Sequence, residues 1–292
     1  PCSSAASDVY KRQILAPGPH YPPYMAYPQM YGAKTVEYAL DSDQGWDIDT
    51  DDIRRKMNDT VKFIVIVNPN NPTGNVAKPS TIMEVLSIAK DWPNCTIIAD
   101  EIYDALDFSG DQRSVASLSD EVPVVTLNGV SKVHFAPGWR IGYMAFFDPK
   151  RTLQAPRDGA ERILRSRLCA STPAQYGYLA GLNHDRLWLK ERLRTIERRV
   201  DLCMNRIEGI EGLSCNKPGG AFYLFPKIDN PSKYGSDKKF VLDLLHEEHV
   251  LVVHGSGFSP RYGSGHFRLV ALAPEDLLNE AFDRIDRFVR SR

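Results

Sequence analysis

The sequence predicts an α/β fold: a mostly parallel central sheet flanked by helices, followed by a smaller α+β unit. Three observations carry that expectation. Val61-Lys62-Phe63-Ile64-Val65-Ile66-Val67 and Cys95-Thr96-Ile97-Ile98-Ala99 are short, β-branched runs bounded by turn residues, the texture of strands buried on both faces. Between them Ile82, Val85, Leu86 and Ala89 recur on one helical face, with Thr81 and Glu84 at capping-box spacing. Strand, helix and strand in that order make a right-handed crossover, and so a parallel pair.

Further strands are expected at 124–127 and 141–146. After Asp148 the texture turns helical: over 186–208, Leu189, Leu193, Ile196, Val200 and Met204 follow steps of three or four, as in one long amphipathic helix. A compact α+β unit follows, with strands expected at 221–225, 250–253 and 266–270 and a helix at 239–246. A closing helix from Pro274 would bury Leu278, Ala281, Phe282 and Ile285. The resulting division is a large α/β domain over 14–183, then the long helix and a small domain over 184–292. Residues 1–13, PCSSAASDVYKRQ, are small and polar and are expected to be a leader foreign to the fold.

Composition narrows the function classes. The chain has 292 residues, 42% of them hydrophobic and 25% charged, in the range of ordinary globular proteins. A net charge of -1 provides no electrostatic footprint for nucleic acid, and no apolar run is long enough to span a bilayer. Five cysteines without a CxxC pair argue against a zinc site or a disulfide framework, and fit reduced thiols in a cytoplasm.

Chemistry-bearing residues cluster where strands end, which is where open α/β sheets bind ligands. The strand ending at Val67 runs into Asn68-Pro69-Asn70-Asn71-Pro72-Thr73-Gly74. The one ending at Ala99 runs into Asp100-Glu101-Ile102-Tyr103. The one ending near Leu127 runs into Asn128-Gly129-Val130-Ser131-Lys132 and on to Pro137-Gly138-Trp139-Arg140. An amide, a carboxylate, a phenol, a lysine and an arginine thus reach one sheet edge.

NPNNPTG, ADEIYD and a Ser-Lys followed eight positions later by Arg140, in this order, resemble the class I/II (fold type I) pyridoxal-phosphate (PLP) aminotransferases. ILAPGPHYPPY, RLCASTPAQ and KPGGAFYLFPKID place the resemblance nearest the alanine (glutamate–pyruvate) aminotransferase branch, and it runs from Ile14 to the C-terminus. The resemblance implies pyridoxal 5'-phosphate as cofactor, with amino-acid and 2-oxo-acid substrates. It also implies a homodimer in a full-length protein, with no nucleic-acid or membrane partner.

It implies roles as well. Lys132 would condense with the cofactor aldehyde and then shuttle a proton, since only an unprotonated amine does both. Asp100 would hold the pyridine nitrogen protonated, with Glu101 a solvated loop acid. Asn71 and Tyr103 would hydrogen-bond the phenolic oxygen. Arg140 would grip the phosphate through paired hydrogen bonds, with Ser131 adding a hydroxyl and Tyr21 a ring against the pyridine face. Arg268 would bind the substrate carboxylate, with Asn71 beside it and Gly255-Ser256-Gly257-Phe258 a mobile loop nearby. Arg167 stands where dicarboxylate-specific relatives place an arginine that faces the neighbouring subunit's site, and is expected not to do so here.

Relatives carry, before the position of Ile14, a phosphate-cupping turn and part of the dimer interface. Without that segment, the chain is expected to be a weak catalyst. A carbon–sulfur β-lyase of the same fold would use the same lysine and is the competing enzyme reading. The effector-sensing domain of a transcription regulator is the reading from another class.

Overall fold

The computed structural model describes residues 12–185 and 187–292. Most of the expected leader therefore lies outside the described residues. Gln13, its last member, instead opens the first strand, where its backbone N–H donates to Thr60 O at 2.8 Å.

A seven-stranded sheet of order β3-β2-β1-β4-β5-β6-β7 forms the centre. Its strands are β1 (Gln13–Gly18), β2 (Lys34–Asp41), β3 (Asp47–Ile48), β4 (Val61–Val67), β5 (Thr96–Asp100), β6 (Val124–Gly129) and β7 (Gly142–Phe147). The five inner strands run parallel, while β3 and β7 close the edges antiparallel. This is the mostly parallel sheet expected from the crossover. The chain leaves β1 to build β2 on one side and later returns to place β4 on the other. The strand order therefore reverses at β1, which opens a crevice beyond the strands' carboxyl ends. Ile64, Ile66, Ile97 and Val124 are fully or almost fully buried in the sheet's core cluster. Each such side chain contributes roughly 1.5–3 kcal/mol.

Helices α1 (Pro23–Met30), α2 (Thr50–Lys56), α3 (Pro79–Lys90), α4 (Val115–Leu118), α5 (Gln154–Arg167) and α6 (Thr172–Asn183) accompany the sheet. The crossover helix α3 buries Ile82, Val85, Leu86 and Ala89 as its periodicity requires. Its start differs from the capping-box expectation. Lys78 occupies the N-cap and Pro79 the first turn, with no side-chain cap, because proline's fixed φ already suits that position. Thr81 instead donates to Asp47 at 3.0 Å, and Glu84 accepts from Arg54.

The C-terminal part opens with the long helix α7 (Leu187–Glu208) and ends with α9 (Glu275–Arg290), with α8 (Asp237–Glu248) between them. Strands β8 (Leu213–Ser214) and β10 (Lys227–Ile228) pair, and β11 (Val253–His254), β12 (Phe267–Val270) and β9 (Tyr223–Leu224) form a three-stranded antiparallel sheet. These strands are shorter than the apolar runs that announced them. Ala221 turns through φ 55°, and Val250 and Val252 pack into the helical core instead of joining a ladder. That core joins Ile196, Val200 and Cys203 of α7 to Phe240 of α8 and Phe282 and Phe288 of α9. It also takes in Tyr103, Leu106 and Val133 from the strand-end loops. Ala221 N–H donates to Leu106 O at 2.6 Å, and Gly219 and Gly220 donate to Gly74 O at 3.0 and 2.9 Å. The C-terminal part is thus fastened directly to the crevice.

Candidate functional site

At the carboxyl ends of β4, β5 and β6 lies a cavity of about 410 Å³. Asn71, Asp100, Tyr103, Ser131, Lys132, Arg140, Tyr21 and Arg268 all line it, together with Asn128 and Tyr223. Residues far apart in sequence therefore meet in one place.

The turn after β4 is built by its first asparagines, which leaves the third available. Asn68 Oδ1 accepts from Ala77 N–H at 2.9 Å. Asn70 Oδ1 accepts from the Thr73 N–H and hydroxyl at 3.2 and 2.9 Å. Gly74 sits at φ +71°, and a Cβ there would lie 2.6 Å from Tyr223 O, so both the turn and the close approach require glycine. Asn71 is buried and accepts from Arg268 Nη1 at 2.7 Å.

Two adjacent acids at the end of β5 have opposite fates, because successive side chains in an extended strand point to opposite faces. Asp100 reaches the cavity. Its Oδ2 accepts from the Tyr24 hydroxyl at 2.6 Å and its Oδ1 from Ile102 N–H at 3.3 Å. Burial pushes its carboxyl above the usual range, while Tyr24, Ile102 and the Lys132 charge oppose that rise. Glu101 is not the solvated acid expected. It is 4% exposed and accepts from Val115 N–H at 2.7 Å and Ser114 Oγ at 3.1 Å, where it satisfies the start of α4.

Lys132 follows β6. Its ammonium lies 5.8 Å from the Tyr103 ring centroid and 5.9 Å from that of Phe222. Among the described residues it has no hydrogen-bond or ion-pair partner. Burial lowers its pKa first, the charges of Arg268 and Arg140 lower it further, and Asp100 acts the other way. The result is a lysine that gives up its proton more readily than a surface one. Arg140 adopts the left-handed backbone at φ 54°, is exposed, and donates only to Pro137 O at 2.9 Å, which ties it to its own turn. Tyr21 is 46% exposed at the rim, edge-on to Tyr24.

Arg268, on β12, enters from the C-terminal part. Its guanidinium stacks between Tyr223 at 4.6 Å and Phe258 at 4.8 Å, and its Nε is buried without an acceptor. Tyr223 in turn shares a hydrogen bond of 2.8 Å with Tyr103. The run Gly255-Ser256-Gly257-Phe258 is a packed turn, not a free loop. Ser256 N–H donates to Asp237 at 2.7 Å, Phe258 is buried, and a Cβ on Gly255 would lie 2.1 Å from Gly263 O. Arg167 is exposed at the end of α5 and does not line the cavity.

Sequence reasoning missed Tyr24 and Tyr223. Tyr24 lies in the first turn of α1, three positions after Tyr21, but that helix is obscured by Pro23 and Pro28. Tyr223 gives only the weak signal of a hydroxyl inside an apolar strand. Taken together, the cavity offers an unpaired amine of lowered basicity, a buried carboxylate, two arginines and three phenols. Such a set has the chemistry to bind a doubly anionic ligand and to move protons beside it.

Residues 5–285 match the family model described as "Aminotransferase class I and II". The chain is 39% identical over 282 residues to the glutamate-pyruvate aminotransferase AlaA of Haemophilus influenzae, a span covering 95% of this chain and 69% of that protein. Among solved structures, it is similar to an alanine aminotransferase from Pyrococcus furiosus, with TM-score 0.93 and 45% identity over 99% of this chain and 75% of that one. It is also similar to the aspartate aminotransferase of Thermus thermophilus with maleate, with TM-score 0.85 and 26% identity over 98% and 74%.

Proposed function

The chain belongs to the class I and II aminotransferases, and we propose that its cavity carries out PLP-dependent transfer of an amino group between alanine and 2-oxoglutarate. The observation that carries this reading is the unpaired Lys132 amine set between Asp100 and the two arginines in one cavity.

Three features of the cavity fit pyridoxal phosphate. Lys132 supplies an amine with no competing partner, Arg140 a guanidinium held only by its own turn, and Asp100 a buried carboxylate. Arg268 Nε, a buried donor without an acceptor, fits the second anion such a site needs, the substrate carboxylate. When bound, the cofactor supplies an electron sink for the electron pair left at the substrate α-carbon.

The protein's own residues do the rest. Arg140 holds the phosphate and Ser131 adds a hydroxyl. Asp100, pinned by Tyr24, keeps a proton on the pyridine nitrogen. Asn71 and Tyr103 address the phenolic oxygen, and Tyr21 covers the ring. Arg268, steadied by Asn71, orients the substrate, so that Lys132 Nζ takes the α-proton from one atom and returns it to another. Burial and two neighbouring cations favour the neutral amine this work requires.

Alanine is favoured by the names of the relatives. The decisive assay supplies alanine and 2-oxoglutarate and follows pyruvate and glutamate together. Equal formation of both is expected. Pyruvate with free ammonia from a cysteine conjugate, and no glutamate, would contradict the reading and identify the β-lyase.

The same reading includes a homodimer in the cytoplasm. Ile163, Leu164 and Leu168, and Tyr176, Leu179 and Leu182 on α6, are each exposed apolar side chains of the kind a second copy would cover. The four described cysteines are free thiols, which supports a reducing compartment, and none of the described helices is long and apolar enough to cross a membrane. Light scattering at micromolar concentration checks the dimer, and a strict monomer there contradicts it.

A further inference from the structure

Tyr103 and Tyr223 form a buried phenol pair with O–O 2.8 Å, and both line the cavity. Two phenols bring two protons to one hydrogen bond. The second proton has no acceptor among the described residues, so the cavity holds a donor awaiting a ligand oxygen. Which phenol keeps that free proton decides what the pair does.

We propose that Tyr223 is a positioning residue. It donates to Tyr103, so that the Tyr103 proton is turned into the cavity toward the cofactor's phenolic oxygen. The stacked guanidinium of Arg268, 4.6 Å from the Tyr223 ring, supports this direction. Each ring faces a cation, Arg268 at 4.6 Å from Tyr223 and Lys132 at 5.8 Å from Tyr103, and the closer, permanently charged guanidinium makes Tyr223 the better donor and Tyr103 the acceptor. Burial raises both hydroxyls and Arg268 lowers both, but the hydrogen bond between them lowers Tyr223 and drives Tyr103 further up. The other charged or titratable groups facing the pair are Asp100, Tyr21 and the Lys132 ammonium. Tyr223 thereby joins the carboxylate end of the cavity to the cofactor end. A donor that is itself receiving a hydrogen bond is the stronger donor.

This inference rests on PLP binding at Lys132, and its test separates the two. The chain is loaded with PLP, and the visible absorption of the Lys132 adduct is titrated against pH in the parent, Tyr223→Phe, Tyr103→Phe and the double variant. A donor to the phenolic oxygen favours the deprotonated form, so losing it moves the transition to higher pH. Tyr103→Phe should move it by roughly 1 pH unit or more. Tyr223→Phe should move it in the same direction by roughly 0.3–0.5, and should move it no further once Tyr103 is phenylalanine. A transition unmoved by Tyr223→Phe, or moved equally in both backgrounds, overturns the relay and leaves the functional reading intact. A parent chain that forms no PLP chromophore overturns both. Circular dichroism of each variant checks that the loss of one oxygen leaves the fold in place.

Discussion

The cavity and the outer face where α7 meets α9 are both rich in charge, yet they use it in opposite ways. On the outer face the arginines that reach across find acids. Arg198 reaches Glu275 at 2.8 Å and Arg206 reaches Asp283 at 2.5 Å, on exposed or half-exposed surface. In the cavity, Lys132 has no partner among the described residues, Arg268 holds one neutral amide and keeps a buried donor unfilled, and Arg140 contacts only its own turn. Paired surface charges contribute little to stability and demand nothing of a ligand. Lys132 and Arg268 are half-buried without an acid, which costs stability and marks where an anionic ligand would find its partners. The contrast teaches where to look for function: at unpaired charge, not at charge itself.

Mutation should break the two regions in different currencies. The largest effect is expected at Lys132→Ala, where transamination should fall by roughly 10⁴-fold or more while the thermal midpoint hardly moves. Steady-state kinetics and calorimetry on the same preparation check both halves. Next, Asp100→Asn should cut kcat on the order of 100- to 1000-fold with PLP still bound. An unaffected rate would reassign the pyridine contact. Arg268→Lys keeps a charge but loses the fork, so kcat/KM should drop about 30-fold, some 2 kcal/mol, with PLP affinity nearly constant. Equal losses in both would make Arg268 structural.

The neighbour of Asp100 sharpens the comparison. Glu101→Gln should leave kcat within a few-fold but lower stability by about 1–2 kcal/mol, because it weakens the acceptor at the start of α4. Smallest of all, Asp283→Asn on the outer face should cost about 0.5 kcal/mol in urea denaturation and nothing in turnover.

How much of this was legible from the chain depends on range. The sheet strands β4, β5 and β6 were legible because each is a short apolar run ended by turn residues, and the motifs follow those ends directly. Asn71, Asp100, Tyr103, Lys132 and Arg140 therefore came with their strands. Helix α1 was not legible, since Pro28 lies inside it and none of its residues is buried. Tyr24 and Tyr223 went unseen for a different reason. Their hydrogen bonds span 76 and 120 positions of sequence, and no local pattern encodes a partner so distant. Glu101 was misjudged because strand alternation alone does not reveal that α4 starts beside it and needs an acceptor. Local chemistry was readable, whereas the contacts that tune it were set by tertiary packing.

The central claim is that Lys132 is the residue that bonds the cofactor. It is tested most directly by incubating the protein with PLP, reducing with borohydride, digesting, and locating the pyridoxyl group by mass spectrometry. The account predicts a single stoichiometric modification on the peptide containing Ser131-Lys132-Val133. A modification spread over surface lysines, or fixed on a lysine outside the cavity, would contradict it.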